Sequence, residues 1–229
     1  MAAEPSSRAV SSPANPRSRP GLTLAEAAPH VRPLVLASER VLVVPGPLGD
    51  LLPGGGLRRG SVVCLEGGMG AGRTSLLLAL AAAATTVGEW AAVVVPEGPT
   101  TAARGDLGAP AAAEAGVAVE RLALVRGVPA AQWATVVAAL VDGVAVVVPD
   151  GLPRGVSPAL LRRLTARVRE QGAVLVVPGP WPGAALTLRP LGFTWRRLGD
   201  DGHLTGRRLQ VEVEVRGGSP RPAILRATG

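Results

Sequence analysis

The sequence predicts an α/β domain: a mostly parallel sheet with helices on both faces, closed by antiparallel strands near the C-terminus. Three observations predict it. Runs of consecutive apolar residues recur at Ser61–Glu66, Trp90–Pro96, Val144–Val148 and Ala173–Val177, and a strand that is apolar without alternation is buried on both faces. Segments with helical periodicity separate these runs, which is the order of βαβ units. Farther on, Leu209–Val215 alternates Leu, Val, Val and Val with Gln210, Glu212 and Glu214, the period of a strand with one wet face.

Taken in order, residues 1–20 are rich in Ser, Pro, Ala and Arg without apolar periodicity and read as a disordered tail. Within residues 21–40, Thr23–Ala28 has capping-box spacing between Thr23 and Glu26, so a short helix and a connector are expected there. The core domain is expected over residues 41–229. It opens with a short strand, Val41–Val44, and a Gly/Pro-rich loop, Pro45–Gly60, in which Leu48–Leu52 makes one helical turn. After the strand Ser61–Glu66 comes a helix over Thr74–Thr86, apolar on nearly all sides and so deeply packed. A short helix at Ala111–Gly116 and a strand at Arg121–Arg126 follow the strand Trp90–Pro96.

Pro129–Asp142 carries the clearest amphipathic pattern. Trp133, Val136, Val137, Leu140 and Val141 recur at helical spacing, with Pro129 at the start and Gly143 after the end. Ser157–Gln171 has Ser157 as cap, Pro158 in the first turn and Gly172 as stop. Thr194–Leu198 and Ala223–Arg226 are the expected partners of Leu209–Val215, with turns at Asp201-Gly202 and Gly217-Gly218. Leu209–Val215 itself is expected to be an open strand.

Composition narrows the class. Phe193 is the one phenylalanine and tyrosine is absent, so the core must be Ala, Val and Leu. Lysine is absent too; all 24 basic residues are arginine, so an arginine where lysine is usual says little about function at most positions. The single cysteine, Cys64, lies in an apolar run, which excludes a disulfide framework, suits a reducing cytoplasm and marks a small core residue. No secretory leader and no membrane span is expected. Thirteen of the 24 basic residues but five of the 17 acidic ones fall at or after Arg154. That excess suits an acidic partner, nucleic acid or protein, or serves solubility.

Gly67-Gly68-Met69-Gly70-Ala71-Gly72-Arg73-Thr74 follows the phosphate-loop pattern G-x-x-x-x-G-K-[ST] except that Arg73 replaces lysine. A buried strand precedes it and a helix follows, the context the motif requires. The glycines let successive N–H groups turn inward toward a polyphosphate. Gly67 through Thr74, with Ser75, are therefore the candidate ligands of ATP or ADP, and Thr74 is placed to coordinate Mg²⁺. Arginine is bulkier and planar, so the exchange is not conservative; binding through backbone N–H groups survives it better than hydrolysis does. Glu97 ends the strand Trp90–Pro96, where a carboxylate orients an attacking water. Asp150 follows Val146-Val147-Val148-Pro149, where a carboxylate holds Mg²⁺, although Pro149 sets it one place late. Each acid is equally read as a polar end to a buried strand.

The stretch Val43 to Gly60, ending Gly55-Gly56-Leu57-Arg58-Arg59-Gly60, resembles the lead-in of the RecA family, and the resemblance extends through the phosphate loop and Glu97 over roughly residues 41–226. It implies a RecA-like sheet. The chain departs from the family where DNA is held: the segments Asp150–Ser157 and Pro178–Leu188 are short, and Pro178-Gly179-Pro180 stands where a phosphate-sensing glutamine is expected. A short, degenerate member with an Arg-rich C-terminal region is similar to the ImuA group, in particular its actinobacterial ImuA-prime type. That resemblance implies an accessory role in damage-induced mutagenic translesion synthesis, in the cytoplasm and at the nucleoid. The implied partners are an ImuB-like Y-family polymerase homologue and an error-prone replicative-type DNA polymerase, with RecA as a further candidate. Arg196, Arg197, Arg207, Arg208 and Arg216, beside the strand Leu209–Val215, are the candidate partner-binding residues. A DNA-dependent ATPase of the RecA/RadA type and a SulA-like cell-division inhibitor are the alternative readings.

The basic C-terminal third lacks aromatic residues on a basic loop, Trp181 being the one candidate for base stacking. DNA binding should therefore be weak, independent of sequence and lost steeply as salt rises. A mobility-shift titration at two ionic strengths checks this; tight binding that persists at high salt contradicts it.

Overall fold

Why strand β3, Ser61–Leu65, lies where it does follows from its composition: all five residues are buried, and alternate ones point to opposite faces. Val63 and Leu65 join one apolar cluster, Val62 and Cys64 the other. Such a strand needs cover on both faces and partners on both edges. The computed structural model, which describes residues 40–68, 70–98, 108–197 and 204–227, supplies both. The described residues belong to one compact unit. The expected tail 1–20, the helix Thr23–Ala28, most of the connector, Met69, the turn Asp201-Gly202 and the side chains of Trp195, Arg196 and Arg197 lie outside what is described.

The remaining strands are β1 (Val41–Val43), β2 (Gly56–Arg58), β4 (Ala91–Pro96), β5 (Leu122–Val128), β6 (Val146–Pro149), β7 (Val174–Pro178), β8 (Leu186–Arg197), β9 (Leu204–Val215) and β10 (Arg221–Ala227). The helices are α1 (Pro47–Leu51), α2 (Arg73–Thr85), α3 (Ala109–Glu114), α4 (Trp133–Gly143) and α5 (Pro158–Gln171). Eight strands form one sheet in the order β10-β9-β8-β3-β7-β6-β4-β5, and β1 pairs with β2 apart from it. From β5 to β8 neighbouring strands run parallel; β9 and β10 are antiparallel additions. The predicted α/β class and its antiparallel C-terminal strands are both present.

Helix α2 packs on one face of the sheet, with Leu76, Leu80, Ala81 and Ala84 against Val63, Val93, Val146 and Val174. Helices α4 and α5 pack on the other through Trp133, Val137, Val141, Leu164 and Val168. Ser157 caps α5, its hydroxyl accepting from the Leu160 N–H at 3.3 Å, and Gly172 ends it in the left-handed conformation. Helix α4 begins four residues later than predicted: Pro129 instead accepts a turn bond from Gln132 N–H. Cys64 is a core residue at 1% exposure, and burial pushes its thiol above the ordinary value. Trp181 is buried and donates its indole N–H to Thr165 Oγ1 at 2.9 Å, so it is not a base-stacking platform. Among the described residues no helix is long and apolar enough to cross a membrane.

Two C-terminal expectations are corrected. Strand β8 begins at Leu186, eight residues before the predicted start, because Pro190 and Gly192 break its sequence pattern and the register slips between them. Pro190 is tolerated there because the β3 side of β8 is paired only through Leu188. Strand β9 is not open. It is paired with β8 on one side and β10 on the other, so β10 and β5 are the edges of the sheet. Its predicted alternation holds through Val213, with Leu209, Val211 and Val213 buried and Gln210 exposed, while Val215 at its end is exposed.

These strands also pack beneath the loop that joins β3 to α2. A Cβ on Gly67 would lie 2.8 Å from Pro190 Cγ, and one on Gly72 would lie 2.5 Å from Leu209 Cδ1 and 2.8 Å from Phe193 Cζ. Gly72 also has φ of 104°. Gly68 meets nothing within 4 Å and needs no positive φ. Gly72→Ala should therefore destabilise the fold by about 1–3 kcal/mol, from overpacking and backbone strain together, while Gly68→Ala should be neutral. Denaturant melts of the two variants check the contrast; equal losses would mean that the floor of the loop is not packed as described.

Candidate functional site

The loop between β3 and α2 curls through three glycines with positive φ, Gly67 at 151°, Gly70 at 77° and Gly72 at 104°. Ala71 N–H closes a turn on Gly68 O at 3.3 Å, and Leu76 N–H begins the helix on Gly72 O at 3.1 Å. Gly72 is the N-cap, so no side chain caps α2, and its first turn carries no acid. The helix thus presents unsatisfied N–H groups and the positive end of its dipole toward the loop. Thr74 and Ser75, both half-buried, follow in that first turn. Sequence reading places Gly67, Gly68, Gly70, Ala71, Gly72, Arg73, Thr74 and Ser75 together, and the structure brings them together.

Arg73 is where the site departs most from expectation. Its Nη2–H donates to Asp150 Oδ1 at 2.9 Å and to the Asp150 carbonyl oxygen at 3.2 Å. The Asp150 side chain is 5% exposed and that of Arg73 26%. Asp150 sits just past the end of β6, with its N–H bonded to Val94 O on β4 at 2.8 Å. Its late position after Pro149 therefore does not remove it from the site; it changes what the carboxylate meets. The expected Mg²⁺ does not fit this arrangement. Asp150 Oδ1 is bonded to a guanidinium, and a metal taking that oxygen would have to compete with it.

Glu97 is not drawn in. It follows β4 and bonds through its backbone N–H to Val128 O at 3.0 Å, but its carboxylate is exposed and makes no ion pair among the described residues. The structure therefore gives it no partner in the Arg73–Asp150 site. Arg207, expected on a partner surface, is half-buried and lies over the Phe193 ring, 5.2 Å from its centroid, and that ring packs against Gly72. Arg208 is half-buried and Arg216 exposed.

Sequence reading missed a second cluster beside the loop. Arg189, on β8, donates to Glu66 Oε2 at 2.7 Å, Glu212 Oε1 at 3.0 Å and Glu214 Oε2 at 2.7 Å. Glu66 directly precedes Gly67. The three carboxylates hold Arg189 well above its ordinary value. Glu212 and Glu214 were legible as the wet face of β9, but Arg189 belonged to a segment with no strand pattern, so its pairing with them was not. The Arg73–Asp150 pair did leave a signal: an arginine in place of lysine and an acid at a strand end are complementary, and arginine suits a carboxylate better than lysine does.

Residues 50–183 match the family model described as the MT3502 N-terminal domain. That span holds the loop, Arg73, Glu97 and Asp150, and leaves β8–β10 outside. The chain is also 36% identical over 160 residues to the uncharacterized protein Rv3395c of Mycobacterium tuberculosis, an alignment covering 69% of this chain and 72% of the relative. With more than half its length matched by the one and most of both chains aligned in the other, the chain belongs to the MT3502 N-terminal domain family.

Proposed function

We propose that this protein is a RecA-like accessory factor of damage-induced mutagenic translesion synthesis, acting by protein contact and retaining weak, vestigial nucleotide binding. The observation that carries the non-enzymatic reading is the Arg73–Asp150 pair at 2.9 Å. Hydrolysis of a bound triphosphate depends on charges placed for the transition state and on an oriented water. Here the cation of the loop is paired with the acid through Nη2, and Glu97 stands exposed with no ion pair among the described residues. This disfavours a working ATPase.

Several features support the RecA-like reading. The loop-bearing strand β3 is interior, β6 with its acid lies one strand away across β7, and β8–β10 extend the sheet on the far side. The connections that would hold DNA in a strand-exchange protein are short: eight residues, 150–157, separate β6 from α5, and seven, 179–185, separate β7 from β8. The identity of the partners, an ImuB-like polymerase homologue and an error-prone replicative-type polymerase, comes from the sequence resemblance to the ImuA group. On the C-terminal surface, Arg208 and Arg216 remain available for acidic groups of such a partner, whereas Arg207 is engaged with Phe193.

ADP and ATP should bind weakly, and phosphate release should stay below about 1 per second, under the range of ordinary enzymes. Gly68→Val should abolish that binding without lowering the melting temperature, because Gly68 faces open space. A fluorescent-nucleotide titration and a phosphate-release assay check this, and turnover at ordinary enzyme rates overturns it. For the partner, the Arg208→Glu/Arg216→Glu variant should lose capture of the ImuB-like protein by about tenfold or more, the scale of a lost pair of charge contacts, with an unchanged melt. Capture at wild-type strength would place the docking surface elsewhere.

A further inference from the structure

The resemblance brings a divalent cation together with the nucleotide, but the geometry gives its place to a side chain. Arg73 Nη2 takes up two oxygens of Asp150, the carboxylate Oδ1 at 2.9 Å and the backbone carbonyl at 3.2 Å. Mg²⁺ demands near-ideal octahedral geometry with oxygen ligands at about 2.0–2.1 Å, which these two oxygens cannot offer while the guanidinium holds them. Among the described residues no group of three or more Asp, Glu, His or Cys side chains is arranged to hold a metal.

We propose that Arg73 is the resident cation of this site: its guanidinium replaces the divalent metal at Asp150, and the loop takes polyphosphate anions without one. The inference rests on reading the loop as a nucleotide site, and it says which form of nucleotide that site accepts. A guanidinium has five donors in a rigid fork. Only Nη2 of Arg73 is engaged by Asp150, and the side chain keeps 26% of its surface exposed. Its remaining donors are thus free to meet phosphate oxygens, while Asp150 fixes the plane of the fork. Because Asp150 offsets its charge, Arg73 offers phosphate hydrogen-bond donors rather than net charge, at the first residue of α2. Metal-free ADP or ATP is the ligand this arrangement suits, because a metal would have to compete with the guanidinium for Asp150 Oδ1.

Two independent measurements test this. In the first, fluorescent ADP is titrated against the wild-type chain in Mg²⁺ and in excess EDTA. The affinities should agree within about twofold; a loss of about tenfold or more on chelation, worth roughly 1.4 kcal/mol, overturns the proposal. The second needs no nucleotide. Thermal melts with and without Mg²⁺ are recorded for the wild type, Arg73→Ala, and Arg73→Ala/Asp150→Asn. Arg73→Ala removes the guanidinium that competes for Asp150 Oδ1, so Mg²⁺ should raise the melting temperature of that variant by about a few degrees, and leave the other two unchanged. No rise in Arg73→Ala, or a rise in the wild type that Asp150→Asn abolishes, overturns the replacement. Should Arg73→Ala not fold, Arg73→Gln serves in its place. Absence of ADP binding both with and without Mg²⁺ overturns the nucleotide reading of the loop, and the melts then decide the metal replacement alone.

Discussion

The Asp150 side chain has only a twentieth of its surface in water, and its carboxylate is bonded to the guanidinium of Arg73. Coulombic attraction at that depth is weakly screened, and removing one partner costs about 3–5 kcal/mol for fully buried pairs and less here because Arg73 is partly exposed. The pair ties the start of α2 to the end of β6, across the width of β7. It also answers a local need. Helix α2 has no capping side chain and no acid in its first turn, and its first side chain, Arg73, bonds the carboxylate of Asp150.

The C-terminal strands fix the other side of the loop. Pro190, Phe193 and Leu209 press against Gly67 and Gly72, and Arg189 holds Glu66 immediately before the loop while joining it to Glu212 and Glu214 of β9. The loop is therefore clamped from two directions, by packing beneath and by an ion pair above, before any ligand is considered. The small core residues follow from the same demand. Ala81, Ala83 and Ala84 of α2 are fully buried, which lets the helix approach a sheet whose strands are largely valine.

What the sequence made legible was whatever one element determines for itself. Unbroken valine runs gave the parallel strands, and Ser157 and Gly172 gave the ends of α5, because burial and capping are local. Strand β2 was missed because Gly56-Leu57-Arg58 has no strand character and forms only by pairing with β1. Strand β8 was truncated because Pro190 and Gly192 argue against a strand unless one knows that β3 has already ended beside them. The alternation in β9 reported one wet face correctly. Ala223–Arg226 is legible as a partner of Leu209–Val215, but alternation cannot tell an edge strand from an interior one, since it records faces and not hydrogen-bonding neighbours, and so Leu209–Val215 reads as open although β10 is the edge. In the site, the spacing placed the loop residues and Asp150 near one another, but which charge would satisfy which was a property of side chains from elements 77 residues apart.

The glycines of the loop now divide into two kinds, and the division bears on how such motifs are read. Gly67 and Gly72 are required by the strands beneath them whether or not a phosphate ever binds, for a Cβ at either would lie within 3 Å of Pro190, Leu209 or Phe193. Gly70 is required by its φ of 77°. Gly68 alone among the four has neither a close neighbour nor a positive φ to explain it. A chain that had ceased to bind nucleotide would still be held to three of these glycines by the stability of its own fold, and free to change the fourth. The survival of most of the motif therefore reflects packing as much as chemistry. Position 68, together with the donors of Arg73 that Asp150 leaves unused, is where a ligand rather than the fold would account for the residue found.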